Sequence, residues 1–385
     1  MITLFWLSVT TIIWVYAGYP LVLWFVARYL RTKSVGRDDI KPWVTLIISA
    51  YNEEQVIRQK LKNSLALEYP HQLMDFVVVS DCSDDATDCI VAEFEPMGVR
   101  LMRMARRSGK TAGLNHAVTR AYGEIVIFSD ANAMYHPKAV KHLVRNFADR
   151  TVGCVTGESR YNVEEGSGSS ESENLYWRYE LALKKLESQI GSLVGGDGAI
   201  YAIRKDLFQP MKPSDLSDFV NPLQITAQGY RNVYEPYAVS YEKAGDTFEK
   251  EFRRKVRIVN RAWRGLWQVR TVLNVFRYGF FSVQVISHKL LRWLVGLFMI
   301  LALLANAFLL VDSLFYLATG LLQVLFYALA AIGWSLSKRA SMPRLFYVPY
   351  YFCLINFAAL RGVVDYFISE NDYTTWQTVR NEGGS

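Results

Sequence analysis

Long uncharged hydrophobic runs occur at both ends of the 385-residue chain. Residues 1–27 carry no charged side chain, and neither do residues 293–311 and 313–337. Runs of about 20 such residues are long enough to cross the ~30 Å hydrocarbon core of a bilayer as helices. The pattern predicts an uncleaved N-terminal anchor, because the run is too long for a signal peptide. It also predicts two C-terminal spans, near 289–311 and 313–336, separated only by Asp312 and forming a tight hairpin.

A third C-terminal segment, 345–368, gives a mixed signal. Its uncharged part, residues 345–360, contains Pro349 and is followed by Arg361. A helix of this kind can span the membrane with a tilt or lie at its interface. The sequence therefore leaves open which side of the membrane holds the C-terminus.

The middle of the chain has the alternating pattern of a soluble α/β domain. Short β-branched runs at 44–49, 76–80 and 123–128 alternate with predicted helices at about 53–66, 84–95 and 110–122. Such alternation predicts βαβ units and a mainly parallel sheet. Polar residues follow all three strands, and ligands bind beyond the carboxyl ends of strands in sheets of this kind. We therefore expect a nucleotide site at that edge.

The second half of this domain is less regular. Residues 163–174 are rich in Gly, Ser and Glu and predict a mobile loop, which a helix at about 175–190 follows. Glycines at 195, 196 and 198 allow a backbone to approach a ligand closely. Residues 250–277 contain nine Lys or Arg and apolar residues at helical spacing. This pattern favours a basic amphipathic helix in the membrane interface, with a helix packed on the catalytic domain as the alternative.

Composition and charge sharpen this picture. The chain is 51% hydrophobic with a net charge of +7. Basic residues between 28 and 41 follow the first apolar run, so the positive-inside rule places the middle domain in the cytoplasm. Four scattered cysteines form no C-x-x-C pair, and five histidines lack metal-ligand spacing. The basic excess near the membrane segments is better explained by lipid headgroups and a diphosphate ligand than by nucleic acid.

Two of the strand ends carry candidate ligand-binding carboxylates. Asp81 could accept the ring N–H of a base or a ribose hydroxyl, or it could be a turn residue. Asp130, with Asn132 two residues later, could hold Mg²⁺ or Mn²⁺ through oxygen ligands. On spacing alone, D-x-N is a weak pattern and a turn is the better interpretation.

Three further groups could carry chemistry. Lys110 follows a basic, glycine-containing loop and precedes a helix, where it could contact phosphate or remain a solvated loop lysine. Asp215 or Asp218 could act as a general base, or both could cap a helix at 219–228. Arg254 and Arg257 could bind donor phosphates or lipid headgroups.

Taken together and in order, these motifs resemble the membrane-bound inverting glycosyltransferases of family 2, which include the cellulose, hyaluronan, chitin and poly-N-acetylglucosamine synthases. The resemblance covers about 43–268 by motif and the flanking membrane segments by layout. It rests on Ala50-Tyr-Asn-Glu-Glu54, Asp81, Gly109-Lys110 with Leu114-Asn115, Phe128-Ser-Asp-Ala-Asn-Ala133, Gly196-Asp-Gly-Ala-Ile-Tyr-Ala-Ile-Arg204, Ser217-Asp218 and Gly229-Tyr-Arg-Asn-Val-Tyr-Glu-Pro236.

The resemblance implies a GT-A fold, a nucleotide-sugar donor and a divalent metal. It implies that Asp81 and Lys110 bind the donor nucleotide, and that Asp130 holds the metal and diphosphate. It implies that Asp218 is the catalytic base, ahead of Asp215, because Gly229-Tyr230 follows at the family's distance. Asp197 in the glycine loop would lie beside the acceptor.

Two departures from the family pattern matter. The D-x-D motif is D-A-N here, so Asn132 is a neutral ligand. The Q-x-x-R-W motif of processive synthases becomes Arg254-Lys-Val-Arg257-Ile258, which keeps the arginine but lacks the glutamine and the tryptophan. In that family the tryptophan lines the acceptor site, so its loss favours single additions over processive synthesis.

The expectation is therefore a membrane-bound inverting glycosyltransferase that moves a sugar from a nucleotide-diphosphate donor to a lipid-linked or saccharide acceptor. We expect an anchor at 1–41, a GT-A domain at 42–246, interfacial helices at 247–285 and a membrane region at 286–385. The expected location is a bacterial inner membrane with the catalytic domain in the cytoplasm. A processive polysaccharide synthase and a non-catalytic nucleotide-binding membrane protein are the alternatives.

Overall fold

The structure, a computed structural model, describes residues 1–30, 32–162, 170–243, 247–337, 342–369 and 373–375. Its centre is an eight-stranded sheet of order β3-β2-β1-β4-β7-β6-β8-β5. The strands are β1 Val44–Ala50, β2 Met74–Ser80, β3 Val99–Arg103, β4 Ile125–Asp130, β5 Met134–Tyr135, β6 Val152–Asn162, β7 Tyr201–Arg204 and β8 Arg231–Lys243.

The first four strands form a parallel sheet, as the alternating pattern predicts. Strands β1 and β2 are buried along their whole length, because helices cover both faces and the strands are rich in β-branched residues. In the register, Ala50 lies beside Ser80 and Ser49 lies beside Asp130. The polar residues that follow β1, β2 and β4 therefore meet at one edge of the sheet.

The other four strands make the sheet mixed. Strand β7 runs antiparallel to both β4 and β6, and β8 runs parallel to β6. Tyr201 of β7 stacks on Phe128 of β4, with ring centroids 4.5 Å apart, in a hydrophobic layer on one face of the sheet. This half places the glycine loop at 195–198 next to the end of β4.

Helices surround the sheet and include the candidate membrane spans. They are α1 Ile2–Leu30, α2 Ile57–Leu65, α3 Thr87–Ala92, α4 Lys110–Val118, α5 Ala139–Val144, α6 Ser170–Ile190, α7 Ser217–Ala227, α8 Phe248–Gln268, α9 Val275–Tyr278, α10 Phe280–Trp293, α11 Val295–Leu309, α12 Leu314–Leu336 and α13 Arg344–Ile368.

Several predicted boundaries are wrong by a few residues. Helix α6 begins at residue 170, inside the stretch predicted as a loop, and residues 163–169 lie outside the described part of the chain. Helix α7 begins at Ser217, so Asp218 lies in its first turn instead of capping it. The residue at which a helix begins depends on its capping geometry, and the sequence pattern does not determine that geometry.

Helix α1 has two environments along its length. Phe5 packs against Ala305 and Leu309 of α11. Further along, Tyr19 and Leu23 pack on α6 of the catalytic domain. The predicted anchor is therefore long enough to cross a membrane, but its second half also fastens the catalytic domain.

The C-terminal region contains two further straight helices, α12 and α13, that are long and apolar enough to cross a membrane. The span predicted near 289–311 is broken, because α10 and α11 meet at a bend of 61°. Helix α13 is one continuous helix despite Pro349. Half of the residues in its most apolar stretch are buried in the protein. This helix has the length and composition of a membrane span.

The apolar face of helix α8 fits the packed alternative of the sequence analysis. Its apolar residues Val256, Val259, Trp263 and Leu266 are buried within the protein. They belong to a core that includes α7 and α13, and Asn260 donates a hydrogen bond to the carbonyl of Gly362 at 3.1 Å. Packing between the catalytic domain and α13 thus accounts for the amphipathic pattern of α8.

Candidate active site

The carboxylate of Asp81 organises the loop that precedes α4. It is buried after β2 and accepts hydrogen bonds from the backbone N–H groups of Ser108 at 2.7 Å and Gly109 at 2.9 Å. Gly109 has a φ of +89°, a conformation that favours glycine. Asp81 therefore lies at the predicted edge of the sheet, and much of its acceptor capacity holds this loop in place.

Lys110, the first residue of α4, points to the end of β4. Its ammonium group forms an ion pair with Asp130 and donates a hydrogen bond to the carbonyl of Gly198 at 3.3 Å. The side chain of Lys110 is 17% exposed and that of Asp130 is 36% exposed. A cation and an anion predicted independently from the sequence therefore meet beside the glycine loop.

Asp218 completes this group from α7. A Cβ atom added to Gly198 would lie 3.2 Å from Oδ2 of Asp218 and 3.6 Å from Nζ of Lys110. Glycine at residue 198 thus lets Asp218 and Lys110 lie close to this backbone, and Asp130 pairs with the same lysine. Burial raises the pKa of Asp218, Asp197 and Asp130 raise it further, and the charge of Lys110 opposes them.

Asp215, the other candidate base, is held by hydrogen bonds from neighbouring segments of the protein. Its side chain is fully buried and accepts hydrogen bonds from the backbone N–H of Lys212, at 2.8 Å, and from the amide of Gln268. Its backbone carbonyl accepts from Thr111 at 2.8 Å. These contacts tie α4 and α8 to the segment before α7 and give Asp215 a structural role.

Asp197 lies on the far side of the glycine loop. It accepts a hydrogen bond from Ser159 at 2.8 Å and pairs with Lys184 of α6 at 3.3 Å. Its charge is one of those that raise the pKa of Asp218. The predicted acceptor-side residue is therefore within electrostatic reach of the predicted base.

The candidate metal ligands supply only oxygen atoms. Asp130 ends β4, and the half-buried Asn132 follows in the turn. Across the described residues, no group of three His, Cys, Asp or Glu is placed to hold a metal ion. An ion at Asp130 would thus draw further oxygen ligands from substrate phosphates and water, which is usual for Mg²⁺. Oxygen ligands of this type fit Mg²⁺ or Mn²⁺. Asp130 and Asn132 are too few to complete the coordination, so the substrate would have to supply further oxygen atoms.

Arg254 and Arg257 approach the same edge from α8. Arg254 is half-exposed and pairs with Glu251 at 2.8 Å. Burial and the neighbouring Arg254 lower the pKa of the half-buried Arg257, while the charge of Asp130 acts in the opposite direction. Arg257 is therefore within electrostatic reach of the carboxylate that would hold the diphosphate.

Glu242 is a carboxylate of this site that the sequence reasoning missed. It follows Tyr241, which pairs with Met134 immediately after the Asp130 turn. Burial raises the pKa of Glu242 to about 8, and Asp130 and Asp197 add to the effect. Its only sequence signal is a charged residue near the end of a predicted strand, which is common at strand ends without function.

Lys60 is a second missed residue, and it lies beneath the Asp130 turn. Its side chain is fully buried on α2, donates a hydrogen bond to the carbonyl of Ala133, and lies 4.0 Å from the ring centre of Tyr135. Burial lowers its pKa to about 7. Lys60 thereby fixes the backbone that carries the candidate metal ligands.

A short part of the C-terminal tail also contacts the site. Gly109 packs so closely on the backbone carbonyl of Thr374 that a Cβ atom at residue 109 would overlap it. Tyr373 donates a hydrogen bond to Asp365 of α13 at 2.9 Å. The described tail residues therefore lie against the loop that Asp81 holds.

Comparison with known proteins agrees with this geometry. Residues 45–209 match the family model of glycosyl transferase family 2. A mannosyltransferase from Pyrobaculum calidifontis, solved in complex with GDP-Man and Mn²⁺, superposes with a TM-score of 0.71 at 22% identity. The superposition covers 96% of this chain and 100% of that chain, so the two share a fold.

Relatives among curated proteins match shorter stretches. A probable glycosyltransferase, YdaM, from Bacillus subtilis is 25% identical over 66% of this chain and 65% of its own length. A β-monoglucosyldiacylglycerol synthase from Nostoc is 34% identical over 30% of this chain and 25% of its own length. A poly-β-1,6-N-acetyl-D-glucosamine synthase from Staphylococcus aureus is 22% identical over 61% and 59%.

The matched regions thus span between a quarter and about two thirds of these relatives. The family match, the mixed sheet and the motifs at its edge agree with one another. The chain thus contains a domain, residues 45–209, that matches glycosyl transferase family 2, and it has a GT-A-like fold.

Proposed function

We propose that the protein is a membrane-anchored inverting glycosyltransferase that moves a sugar from a nucleotide-diphosphate donor to a hydroxyl group of a lipid-linked acceptor. The observation that carries this proposal is that Lys110 and Asp218 lie against Gly198 while Lys110 also pairs with Asp130. This arrangement supports a cation for the diphosphate, a carboxylate for a metal and a carboxylate for a proton in one neighbourhood.

The reaction is a single displacement at the anomeric carbon of the donor sugar. Asp218 takes the proton of the attacking acceptor hydroxyl, the new bond forms from that oxygen to the anomeric carbon, and the bond to the diphosphate breaks. The raised pKa of Asp218 brings the carboxylate closer to the working pH, which favours a general base.

The leaving diphosphate gains negative charge as this bond breaks. Lys110 and Arg257 provide positive charge close to Asp130, where the diphosphate would bind. Mg²⁺ or Mn²⁺, held by Asp130 and Asn132 together with substrate oxygens, would supply further charge stabilisation. The bound Mn²⁺ of the Pyrobaculum mannosyltransferase supports this choice of metals.

The lipid-linked acceptor is favoured by the membrane helices packed directly on the catalytic domain. Helices α1 and α13 both contact it, and the Nostoc relative is named as a glycolipid synthase. The positive-inside rule further supports a cytoplasmic catalytic domain at a bacterial inner membrane.

A processive polysaccharide synthase is the second candidate, since the Staphylococcus relative is named as one. Ile258 stands where the processive motif has tryptophan, which favours single additions. Product length separates the two: a single added sugar supports the first function, and a ladder of products supports the second.

The test uses membranes that contain the full chain, a panel of labelled nucleotide sugars and Mg²⁺ or Mn²⁺. Asp218→Asn should lower transfer by about 10²- to 10⁴-fold, the usual contribution of a general base, and should leave donor binding intact. Asp206→Asn, at an exposed position, is the matched control. Transfer at the wild-type rate by Asp218→Asn would overturn the mechanism, and turnover of no donor by the wild type would overturn the function.

A further inference from the structure

Helix α7 contains a proline in its interior, four residues after the proposed base. Pro222 lies within Ser217–Ala227, and its side chain is buried. An interior proline removes one backbone N–H from a helix, and its ring crowds the carbonyl of the residue four positions earlier. That residue is Asp218, so the helix bond that would join residues 222 and 218 is absent. A residue that is unfavourable in helices thus stands where it acts on the backbone of the base.

The carbonyl of Asp218 has a partner outside the helix. It accepts a hydrogen bond from the backbone N–H of Gly196, in the glycine loop, at 2.5 Å. Buried backbone carbonyl groups nearly always have a hydrogen-bond donor. Because proline has no N–H, the donor that the helix would supply at residue 222 comes from the loop instead. The proline therefore leaves this carbonyl available to Gly196.

Gly196 fits closely against this part of α7. A Cβ atom added to Gly196 would lie 2.9 Å from the carbonyl oxygen of Asp218 and 3.4 Å from Cγ of Pro222. A side chain at residue 196 would therefore push the loop away from the helix. The contact depends on the residue type on both of its sides, a glycine in the loop and a proline in the helix.

The sheet holds the other side of the glycine loop. The buried Asn232 of β8 donates a hydrogen bond to the carbonyl of Gly195 at 2.7 Å. The same side chain accepts a hydrogen bond from Thr156 of β6 at 3.1 Å. The loop therefore connects the sheet to α7, through Gly195 on one side and Gly196 on the other.

Two residues later, the same loop contacts the side chain of the base. A Cβ atom at Gly198 would lie 3.2 Å from Oδ2 of Asp218, and the carbonyl of Gly198 accepts a hydrogen bond from Lys110 at 3.3 Å. The bond at Gly196 thus helps to fix the backbone of Asp218 relative to both groups. A shift of about 1 Å at a reacting group can lower a rate about 10²-fold, so this link matters for transfer.

We propose that Pro222 is a positioning residue, which keeps the carbonyl of Asp218 free for the N–H of Gly196 and thereby holds the base against the glycine loop. The proposal rests on the proposed function and adds to it a residue that does not touch the substrate. In the variant Pro222→Ala, the new N–H of residue 222 competes with Gly196 for the same carbonyl. The loop then loses its link to α7, although the carboxylate of Asp218 is unchanged.

The first test measures transfer by Pro222→Ala in the full chain, with the nucleotide sugar that the wild type turns over. We expect kcat to fall about tenfold or more. The donor KM should stay within about threefold, because Lys110 and Asp130 lie outside α7. The unfolding temperature should equal or exceed that of the wild type, since alanine favours a helix interior and proline opposes it. A residue with only a structural role would lose activity and stability together.

Two matched variants isolate the N–H group. Pro349→Ala removes a proline from the interior of α13 and should keep the wild-type kcat. A second variant, made by cell-free translation, carries lactic acid at residue 222, so that it lacks the proline ring and also the N–H. This ester variant should regain most of the wild-type kcat. If it is as slow as Pro222→Ala, the ring matters and the N–H does not, and the proposal fails.

Amide hydrogen exchange tests the contact without turnover. The peptide that covers residues 193–200 should exchange faster in Pro222→Ala than in the wild type, because Gly196 has lost its acceptor. The same peptide should exchange at the wild-type rate in Pro349→Ala. Equal exchange in the wild type and Pro222→Ala would overturn the proposal, since the N–H of Gly196 would then keep its bond without the proline.

Transfer by the wild type separates this inference from the proposed function. Donor turnover by the wild type, with an unchanged kcat in Pro222→Ala, refutes the inference and leaves the function standing. If the wild type turns over no donor, the function fails, and the inference fails with it.

Discussion

Replacing Lys60 by methionine removes a fully buried cation from beneath the Asp130 turn. Burial lowers the pKa of this lysine from an ordinary value of 10.5 to about 7. At about 1.4 kcal/mol per pH unit, that difference corresponds to about 5 kcal/mol against the charged form in the folded state. The loss of the hydrogen bond to Ala133 opposes this gain, because an unsatisfied buried carbonyl costs about 1–3 kcal/mol.

The pH dependence of stability distinguishes these two effects. A lysine whose pKa is lowered by folding destabilises the folded state below its unfolded pKa, and the penalty disappears as the pH rises from about 7 toward 10.5. Between pH 7 and pH 9, the wild type should therefore gain about 2 kcal/mol of unfolding free energy relative to Lys60→Met. The loss of the bond to Ala133 is the same at both pH values and cancels from this comparison.

Urea titrations of the detergent-solubilised chain at pH 7 and pH 9 measure this difference. Lys62→Met, at an exposed position on the same helix, should show no pH-dependent difference from the wild type. If Lys60→Met also shows none, Lys60 does not pay a burial penalty and the reasoning fails. The donor KM of Lys60→Met should rise, because the turn that carries Asn132 loses its anchor.

Three further changes test the site. Gly109→Ala should destabilise the fold by about 1–2 kcal/mol and raise the donor KM, because Gly109 has a positive φ and packs on Thr374. Thermal unfolding and donor kinetics measure the two effects. Gly191→Ala is the control, since Gly191 has open space around it, and it should change neither quantity. Asp215→Ala should lower the unfolding free energy by about 3 kcal/mol, since it leaves two donors unsatisfied, and a folded variant without transfer activity would contradict this structural role. Lys110→Met should move the acid limb of the pH–rate profile to higher pH, because its charge lowers the pKa of the proposed base; an unmoved limb would refute that link.

The parallel half of the fold and its ligand-binding edge could be predicted from local sequence. Strands such as β1 and β4 are short β-branched runs, and parallel strands necessarily bring their carboxyl ends to one edge. Asp81 and Asp130 each follow such a run directly. Their meeting at the edge is therefore a consequence of the pattern of alternation, and the structure confirms it.

Other features depend on tertiary contacts that a pattern does not contain. The spacing of Val256, Val259 and Trp263 is the same whether the helix faces lipid or protein, so the sequence could not show that α13 covers this face. Glu242 joins the site only through the pairing of β8 with β5. His288, which lacks metal-ligand spacing, is placed between two glutamates by the packing of α10 on α6.

The burial of α8 has a consequence for how the two halves of the protein work together. Gly265 packs on Val220 of α7, and Gly362 of α13 packs on Val256 from the opposite side. Helix α8 is thus packed closely between the catalytic domain and α13, a candidate membrane span. We therefore expect a chain ending before α8 to expose an apolar surface and to fold poorly on its own. If α13 spans a bilayer, we expect a displacement of this helix by a change in bilayer thickness to alter the geometry around Arg257.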